Sequence, residues 1–319
     1  MQLVMIVSGE DTERAIQNLG FIEKYLPIDE VVIIGNEMTG KIVEQSGKDL
    51  LYLNEDTIYE GMSYKNIDAA IKERSGKEGR TGWYFQQFLK MAYALRCKDD
   101  YYLVWDGDTI PVREIALFDK DGHPFMALKE EYNKPYFDTM KNLLGLEKVR
   151  EESFISEHML IHTGCMQEMI AEIEKKDTLQ GRHFFEKILS AVEPDMLSSS
   201  GFSEYETYGT YVTVKHPELY KCIPYTSCRH TITMIGYNPT PEQIQWLAGK
   251  YEAVSFEKWD SPMKGLTKLS EKEWFRQWIG IEKYDKICFG RIKVKFKYGE
   301  TKRKVGRRIK KMLGISRHK

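Results

Sequence analysis

Long apolar runs are the first thing this sequence lacks. Nowhere in its 319 residues is there a stretch approaching the roughly 18 apolar residues of a membrane-spanning helix, which excludes a helix of that kind. The opening Met1–Ser8 is apolar but has neither a basic segment nor a small-residue cleavage site, so it reads as a first strand rather than a secretory signal, and the expectation is a cytoplasmic protein. Cysteine is scarce: Cys97, Cys165, Cys222, Cys228 and Cys288 are an odd number with no Cys-x-x-Cys pair. That argues against a disulfide framework and a zinc site, and predicts reduced, mostly buried thiols. There is no internal repeat and no low-complexity segment before the C-terminal tail.

Charge of one sign is missing overall but not locally. The formal net charge is −1, yet Phe289 to Lys319 holds thirteen Lys/Arg against the single acid Glu300, leaving −13 on the remainder. Within the tail, Val305, Ile309, Met312 and Leu313 recur at helical spacing among basic residues. Such a basic amphipathic helix predicts docking on an anionic membrane surface. No helix-turn-helix, zinc-finger or RNA-binding signature accompanies the charge, so nucleic acid is not expected as a partner.

What is present begins with alternating strands and helices. Leu3–Val7, Glu30–Gly35 and Asp49–Leu53 read as strands, with a helical pattern from Asp11 to Leu26 between the first two. This alternation predicts a doubly wound α/β sheet, whose ligands bind at the carboxyl ends of the strands. Ser8, Asn36 and Asp106 fall at such ends. Residues 73–82 are polar and glycine-rich and read as a mobile loop. A helix from Trp83 to about Arg96 buries Phe85, Phe88, Leu89, Ala92 and Leu95, and carries Trp83, Gln87 and Lys90 on another face. Further helices are expected near 164–176 and 182–192. Thr240–Gln243 and Ser270–Glu273 read as capping boxes that start two more.

The chemistry concentrates after the apolar run Tyr101–Trp105, which ends in Asp106-Gly-Asp108 and soon meets Pro111. With 16 Asp in the chain, about one Asp-x-Asp is expected by chance, so context has to decide. The second pair, Asp119 and Asp121, sits in a surface turn. The first closes a buried strand, where residues i and i+2 share a side. Two carboxylates there suit Mg²⁺ or Mn²⁺, which bind one or two carboxylates and complete their shell with phosphate oxygens. The alternative is a solvated turn capped by Asp side chains.

Four segments in order, Gly82–Lys90, Val104–Thr109, Ser153–Met159 and Ser203–Gly209, resemble a poorly characterised bacterial family of glycosyltransferase-like proteins associated with surface-polysaccharide genes. Over about residues 1–235 the chain also resembles GT-A nucleotide-sugar glycosyltransferases. The resemblance implies a GT-A-like, Rossmann-type mixed sheet flanked by helices (1–235), a helical C-terminal segment (236–288) and the basic tail (289–319). It further implies metal-dependent transfer of a sugar from a nucleotide-sugar to a glycan, with Asp106 and Asp108 as the metal and diphosphate motif. Ser8, Trp83, Gln87, Lys90, Trp105, Asp106, His158 and Arg229 are then candidate donor contacts. His230 is a third metal ligand by position alone. Lys90 has the alternative of a solvated helix lysine, and His158 that of a structural histidine.

An inverting transfer needs a base for the acceptor hydroxyl. Glu204, directly after a Ser203 cap, is the first candidate. Glu206 lies about 200° away on a helix and would then be structural. Together with the tail, this predicts an enzyme peripheral at the inner face of the plasma membrane, for which a lipid-linked glycan is a fitting acceptor. Two rivals remain. A sugar nucleotidyltransferase would show a glycine- and arginine-rich loop after the first strand, where Ser8–Thr12 is acidic with one glycine. A non-catalytic adaptor binding glycan or membrane would show no donor hydrolysis.

Overall fold

The computed structural model describes residues 1–290; the basic tail beyond them, with its expected amphipathic helix, lies outside the described residues. In chain order the elements are β1 (Gln2–Ile6), α1 (Gly9–Tyr25), β2 (Glu30–Gly35), α2 (Glu37–Ser46), β3 (Leu51–Asn54), α3 (Tyr64–Ser75), α4 (Thr81–Ala92), β4 (Tyr101–Trp105), β5 (Thr109–Pro111), β6 (Phe125–Leu128) and α5 (Lys134–Leu144). They continue with β7 (His158–His162), α6 (Thr163–Glu174), α7 (Phe184–Ala191), α8 (Glu204–Lys215), β8 (Lys221–Pro224), β9 (Ser227–Cys228), α9 (Thr231–Ile235), α10 (Pro241–Leu247), β10 (Ala253–Ser255), α11 (Lys264–Ser270) and α12 (Glu273–Ile279), with a last helix over 281–290. The described residues divide into two compact units, Met1–Ser227 and a second that begins at Cys228.

The first unit is built on a five-stranded sheet ordered β3-β2-β1-β4-β7. β1, β2, β3 and β4 run parallel, and β7 pairs antiparallel to β4, with Trp105 opposite His158. The sheet is therefore mixed, an α/β fold flanked by helices. The strands read as unbroken apolar runs because both faces are covered: Leu3, Val4 and Met5 of β1 and Tyr102, Leu103, Val104 and Trp105 of β4 are wholly buried. A second, two-stranded parallel ribbon pairs β6 with β8.

α4 turns Phe85, Phe88 and Leu89 into the core formed with Phe184, Phe185 and Phe202. Each such side chain, fully buried, contributes about 1.5–3 kcal/mol. α8 is buried all round from Glu204 to Val212 despite its polar sequence. Ser203 caps it by accepting from Glu206 N, and Gly209 gives Phe154 the space to lie against the helix, where a Cβ would come within 2.3 Å of the ring.

Two local expectations are corrected. Residues 73–82 are not a free loop: α3 runs to Ser75, α4 begins at Thr81, and the link between them is pinned by Arg80 N donating to Leu197 O at 3.1 Å. Gly79 is packed so closely that a Cβ would meet Ile71 Cγ2 at 2.3 Å. In the second unit Thr240 forms the expected capping box with Gln243, but Ser270 does not start α12. It ends α11, buried, where it receives Gln243 Nε2 at 2.7 Å. The second unit centres on Met234, Leu247, Phe275, Tyr284 and Cys288, with Tyr284 donating to Met234 O. Among the described residues no helix is long and apolar enough to cross a membrane.

Candidate functional site

The strand that leads to the acidic pair ends at Trp105 and gives way to a turn. Thr109 N donates to Asp106 O at 3.0 Å, and Trp105 Nε1 reaches over to Thr109 O at 2.8 Å. Asp106 and Asp108 therefore flank a tight turn rather than sharing one side of a strand, which corrects the expectation from strand periodicity. Gly107 at its apex is required by packing: a Cβ there would lie 2.7 Å from Val7 Cγ1 and 3.1 Å from Ala15 Cβ. Gly107 O also accepts from Asn18 Nδ2 of α1. The turn is thus clamped to the carboxyl end of β1, next to the Ser8 that precedes α1. Ser8 is exposed, with its hydroxyl 3.4 Å from the Asp11 carboxylate.

Lys90 is the centre of the site. Its ammonium is buried and lies 3.1 Å from Asp106 Oδ1, 3.0 Å from Glu204 Oε1 and 3.3 Å from Tyr205 Oη, with the Tyr205 ring 4.4 Å away. Burial opposes the charge, but the two carboxylates outweigh it and hold the lysine well above its ordinary range. One turn earlier on the same helix face, Gln87 Oε1 accepts from Glu204 N, and its amide donates to Trp83 O. Trp83 stacks beside Tyr136 and carries the Arg80 guanidinium over its ring. The face of α4 bearing Trp83, Gln87 and Lys90 thus meets the first turn of α8. Lys90 is not the solvated lysine of the alternative reading. Its ammonium is held by the carboxylates of Asp106 and Glu204 and the hydroxyl of Tyr205.

The two glutamates of α8 go separate ways. Glu204 is 5% exposed and faces Lys90. Glu206 accepts from Ser153 Oγ at 2.8 Å and Phe154 N at 3.0 Å and pairs with Lys148, fastening the segment before β7. Beneath the turn, His158 lies stacked on Trp105 at 5.2 Å and edge-on to Tyr225. Burial pushes its pKa down to about 4, so it is neutral, and its Nδ1 lacks a partner among the described residues. The preceding Glu157 receives Lys129 at 2.6 Å and lends its carbonyl to Asp106 N. Burial pushes the Glu157 carboxyl up, but Lys129 more than offsets this and leaves it below the usual range.

Lys129, which also reaches Ser227, and Tyr205 escape sequence reasoning. The position of Lys129 at the end of the apolar run Phe125–Leu128 was the available signal. Arg229 and His230 belong to the second unit. Arg229 pairs with Glu257, and His230 faces Asp260 at 3.6 Å and the rings of Trp259 and Phe289.

For a cation, the donors at the strand end are hard carboxylate oxygens. Asp106 spends Oδ1 on Lys90, and its side chain is 33% exposed. Among the described residues, Asp106 and Asp108 are not part of any three-ligand group. Those that form are Cys165–Glu168–His216 and Asp119–Asp121–His123. The second is a turn in which Asp119 accepts from the backbone of Asp121 and His123. Hard carboxylate oxygens of this kind are the donor type that Mg²⁺ and Mn²⁺ take, with phosphate oxygens completing such shells.

The fold and site define an α/β protein with carboxylates gathered at the strand ends of a mixed sheet. The chain belongs to a family of unknown function, DUF6492, whose profile matches residues 37–262. No curated protein matches it. Among solved structures it is similar to mouse xyloside xylosyltransferase 1, with 12% identity over 81% of this chain and 98% of that one and a TM-score of 0.41. It is similar to the galactosyltransferase LgtC, solved with donor and acceptor sugar analogues, with 11% identity over 87% and 99% and a TM-score of 0.39. It is also similar to the glycosyltransferase GlyE of Streptococcus pneumoniae TIGR4, with 12% identity over 87% of this chain but 62% of that one and a TM-score of 0.38.

Proposed function

We propose that this protein is a glycosyltransferase that uses a nucleotide-sugar donor, and that Asp106 and Asp108 hold Mg²⁺ or Mn²⁺ against the donor diphosphate. One observation carries the reading. At the carboxyl end of a central strand, where α/β sheets bind ligands, two carboxylates from different elements, Asp106 and Glu204, converge on the single buried ammonium of Lys90. The Asp-Gly-Asp turn beside them is held rigid by close packing at Gly107.

The chain's own residues prepare the site. Lys90 fixes the Asp106 carboxylate through Oδ1. Glu204 holds Lys90 at 3.0 Å, and its backbone N donates to Gln87 Oε1. His158, neutral beneath Trp105, offers a ring that hydrogen-bonds without adding charge. A bound divalent cation would neutralise charge on the departing nucleotide diphosphate. With 5% exposure and an oxygen on Lys90, Glu204 serves better as the group that positions Lys90 than as the base reaching an acceptor hydroxyl. A bacterial surface polysaccharide as product, a lipid-linked acceptor and a place at the cytoplasmic face of an anionic membrane, reached through the basic tail, complete the proposal.

The test is a panel of nucleotide-sugars with and without Mn²⁺, read by thermal shift and donor hydrolysis on wild type, Asp108→Asn and Asp119→Asn. Metal-dependent stabilisation and turnover of one donor, lost in Asp108→Asn and kept in Asp119→Asn, support the reading. Absence of binding to every donor, with Asp108→Asn indistinguishable from wild type, overturns it.

A further inference from the structure

The second unit contains a helix, α12, whose apolar residues extend beyond the side it buries. α12 turns Phe275 and Ile279 inward, where both are buried. One residue earlier in each turn stand Trp274 and Trp278, which are 62% and 70% exposed. A surface helix ordinarily presents one apolar stripe to its core and polar residues to solvent. Here the flank of the buried stripe carries two largely exposed tryptophans one turn apart, their rings 5.8 and 6.1 Å from that of Phe275, and Leu269 at the end of α11 is exposed beside them in the chain. Neighbouring large apolar groups left in solvent mark a surface meant to be covered.

The chemistry of the patch selects what covers it. Tryptophan combines a wide apolar ring with one N–H donor and gathers at the water–lipid boundary, where one end is apolar and the other wet. The Lys283 ammonium lies 5.6 Å over the Trp278 ring, and the neighbouring sequence exposes Lys264, Lys268, Lys272 and Lys286 along with Glu271, Glu273 and Glu282. α12 ends at Ile279, and soon after, from residue 291 to the C-terminus, the sequence holds thirteen Lys/Arg and one acid. A protein partner would be matched by shape and by paired polar groups. An aromatic pair with a lysine over one ring, followed in the sequence by a strongly cationic tail, is complementary to a surface that is anionic at its headgroups and apolar just beneath.

We propose that Trp274 and Trp278 form an interfacial anchor that inserts into the headgroup region of an anionic lipid bilayer, beside the electrostatic attachment of the tail. This rests on the membrane-surface part of the proposed function and not on the glycosyl-transfer part. Charge would bring the protein to the surface and be weakened by salt. The tryptophans would hold it there by burying apolar area, which salt does not screen.

The experiment is co-sedimentation of the full chain with phosphatidylcholine vesicles, with and without phosphatidylglycerol, at low and high salt. Wild type is compared with Trp274→Ala/Trp278→Ala and with a charge-neutralised tail, Lys302→Gln/Arg303→Gln/Lys304→Gln/Arg307→Gln/Arg308→Gln. The tryptophan double variant is expected to bind phosphatidylglycerol vesicles at least about tenfold more weakly, given the area two such rings bury, and to lose the binding that survives high salt. Quenching by brominated lipid of wild-type fluorescence, reduced in the double variant, locates the rings in the bilayer. Because both rings also lie against the buried Phe275, binding is measured below the melting temperature of each variant, with its circular dichroism matched to wild type, which separates lost docking from lost folding. Wild-type binding by the double variant, with binding lost in the tail variant, overturns the anchor and leaves the tail reading standing. No vesicle binding by wild type overturns both, and neither result bears on donor hydrolysis.

Discussion

Replacing Lys90 by methionine removes the one cation shared by two carboxylates while keeping the side chain's length and apolar stem. Each carboxylate oxygen lies within 3.1 Å of the same nitrogen, so the two cannot be more than about 6 Å apart. At an effective dielectric constant of about 20 their repulsion is then about 3 kcal/mol. Removing one partner of a buried ion pair costs about 3–5 kcal/mol. The partial exposure of Asp106 screens its share, which favours the lower end, about 3 kcal/mol.

The measurement is urea denaturation at neutral pH on wild type, Lys90→Met, Glu204→Gln and the double variant. Lys90→Met alone should lose about 3 kcal/mol. The double variant, with one carboxylate fewer, should recover most of that, leaving a coupling energy well above the few tenths expected of independent sites. A single-variant cost below about 1 kcal/mol, or costs that simply add, would refute the reasoning from charge.

Other positions carry independent predictions. His158 takes its proton near pH 4 when folded and near 6.5 when unfolded, so the unfolded state binds more protons between these values and stability must fall as pH drops through that window. Wild type should lose about 3 kcal/mol more than His158→Phe between pH 6.5 and 4, and superimposable acid profiles would exclude a buried neutral histidine. Gly107→Ala pushes a methyl against Val7 and Ala15; calorimetry should show a loss of about 1–3 kcal/mol, with donor affinity falling as the turn shifts. Glu206→Ala strands Ser153 Oγ, Phe154 N and Lys148, and should cost about 2–4 kcal/mol in denaturation. KM for the donor at a temperature where both proteins are folded should stay near wild type, and a large KM change would place Glu206 in the site.

The parts legible in the sequence are those governed by local pattern. β2 spans the residues its apolar run marks, and α10 starts at the capping box of Thr240. The polar face of α4 could be read as Trp83, Gln87 and Lys90 from helical spacing. What it meets could not, because the first turn of α8 lies more than a hundred residues on and no periodicity encodes that approach. The same limit hid Lys129 against Glu157. Strand periodicity misjudged Asp106 and Asp108, since the strand stops at Trp105 and the turn is decided by the tight space at Gly107. Ser270 looked like a cap from its neighbours, but it belongs to α11 and bonds Gln243 across the unit.

The position of Lys90 on α4 joins fold to site. Its helix neighbours Phe88 and Leu89 are locked in the aromatic core, and Tyr102 Oη on β4 donates to the Lys90 carbonyl at 2.9 Å. The ammonium therefore has little freedom to follow a ligand, and the carboxylates come to it from the end of β4 and from α8. One ammonium between two carboxylates leaves a formal charge of −1 at the mouth of a sheet. A diphosphate entering alone would add repulsion there. A divalent cation entering first, or with the diphosphate, converts the same field into attraction. If the proposed function holds, this prearranged charge would make anionic donor binding conditional on the cation, and metal dependence should appear in donor affinity before it appears in turnover.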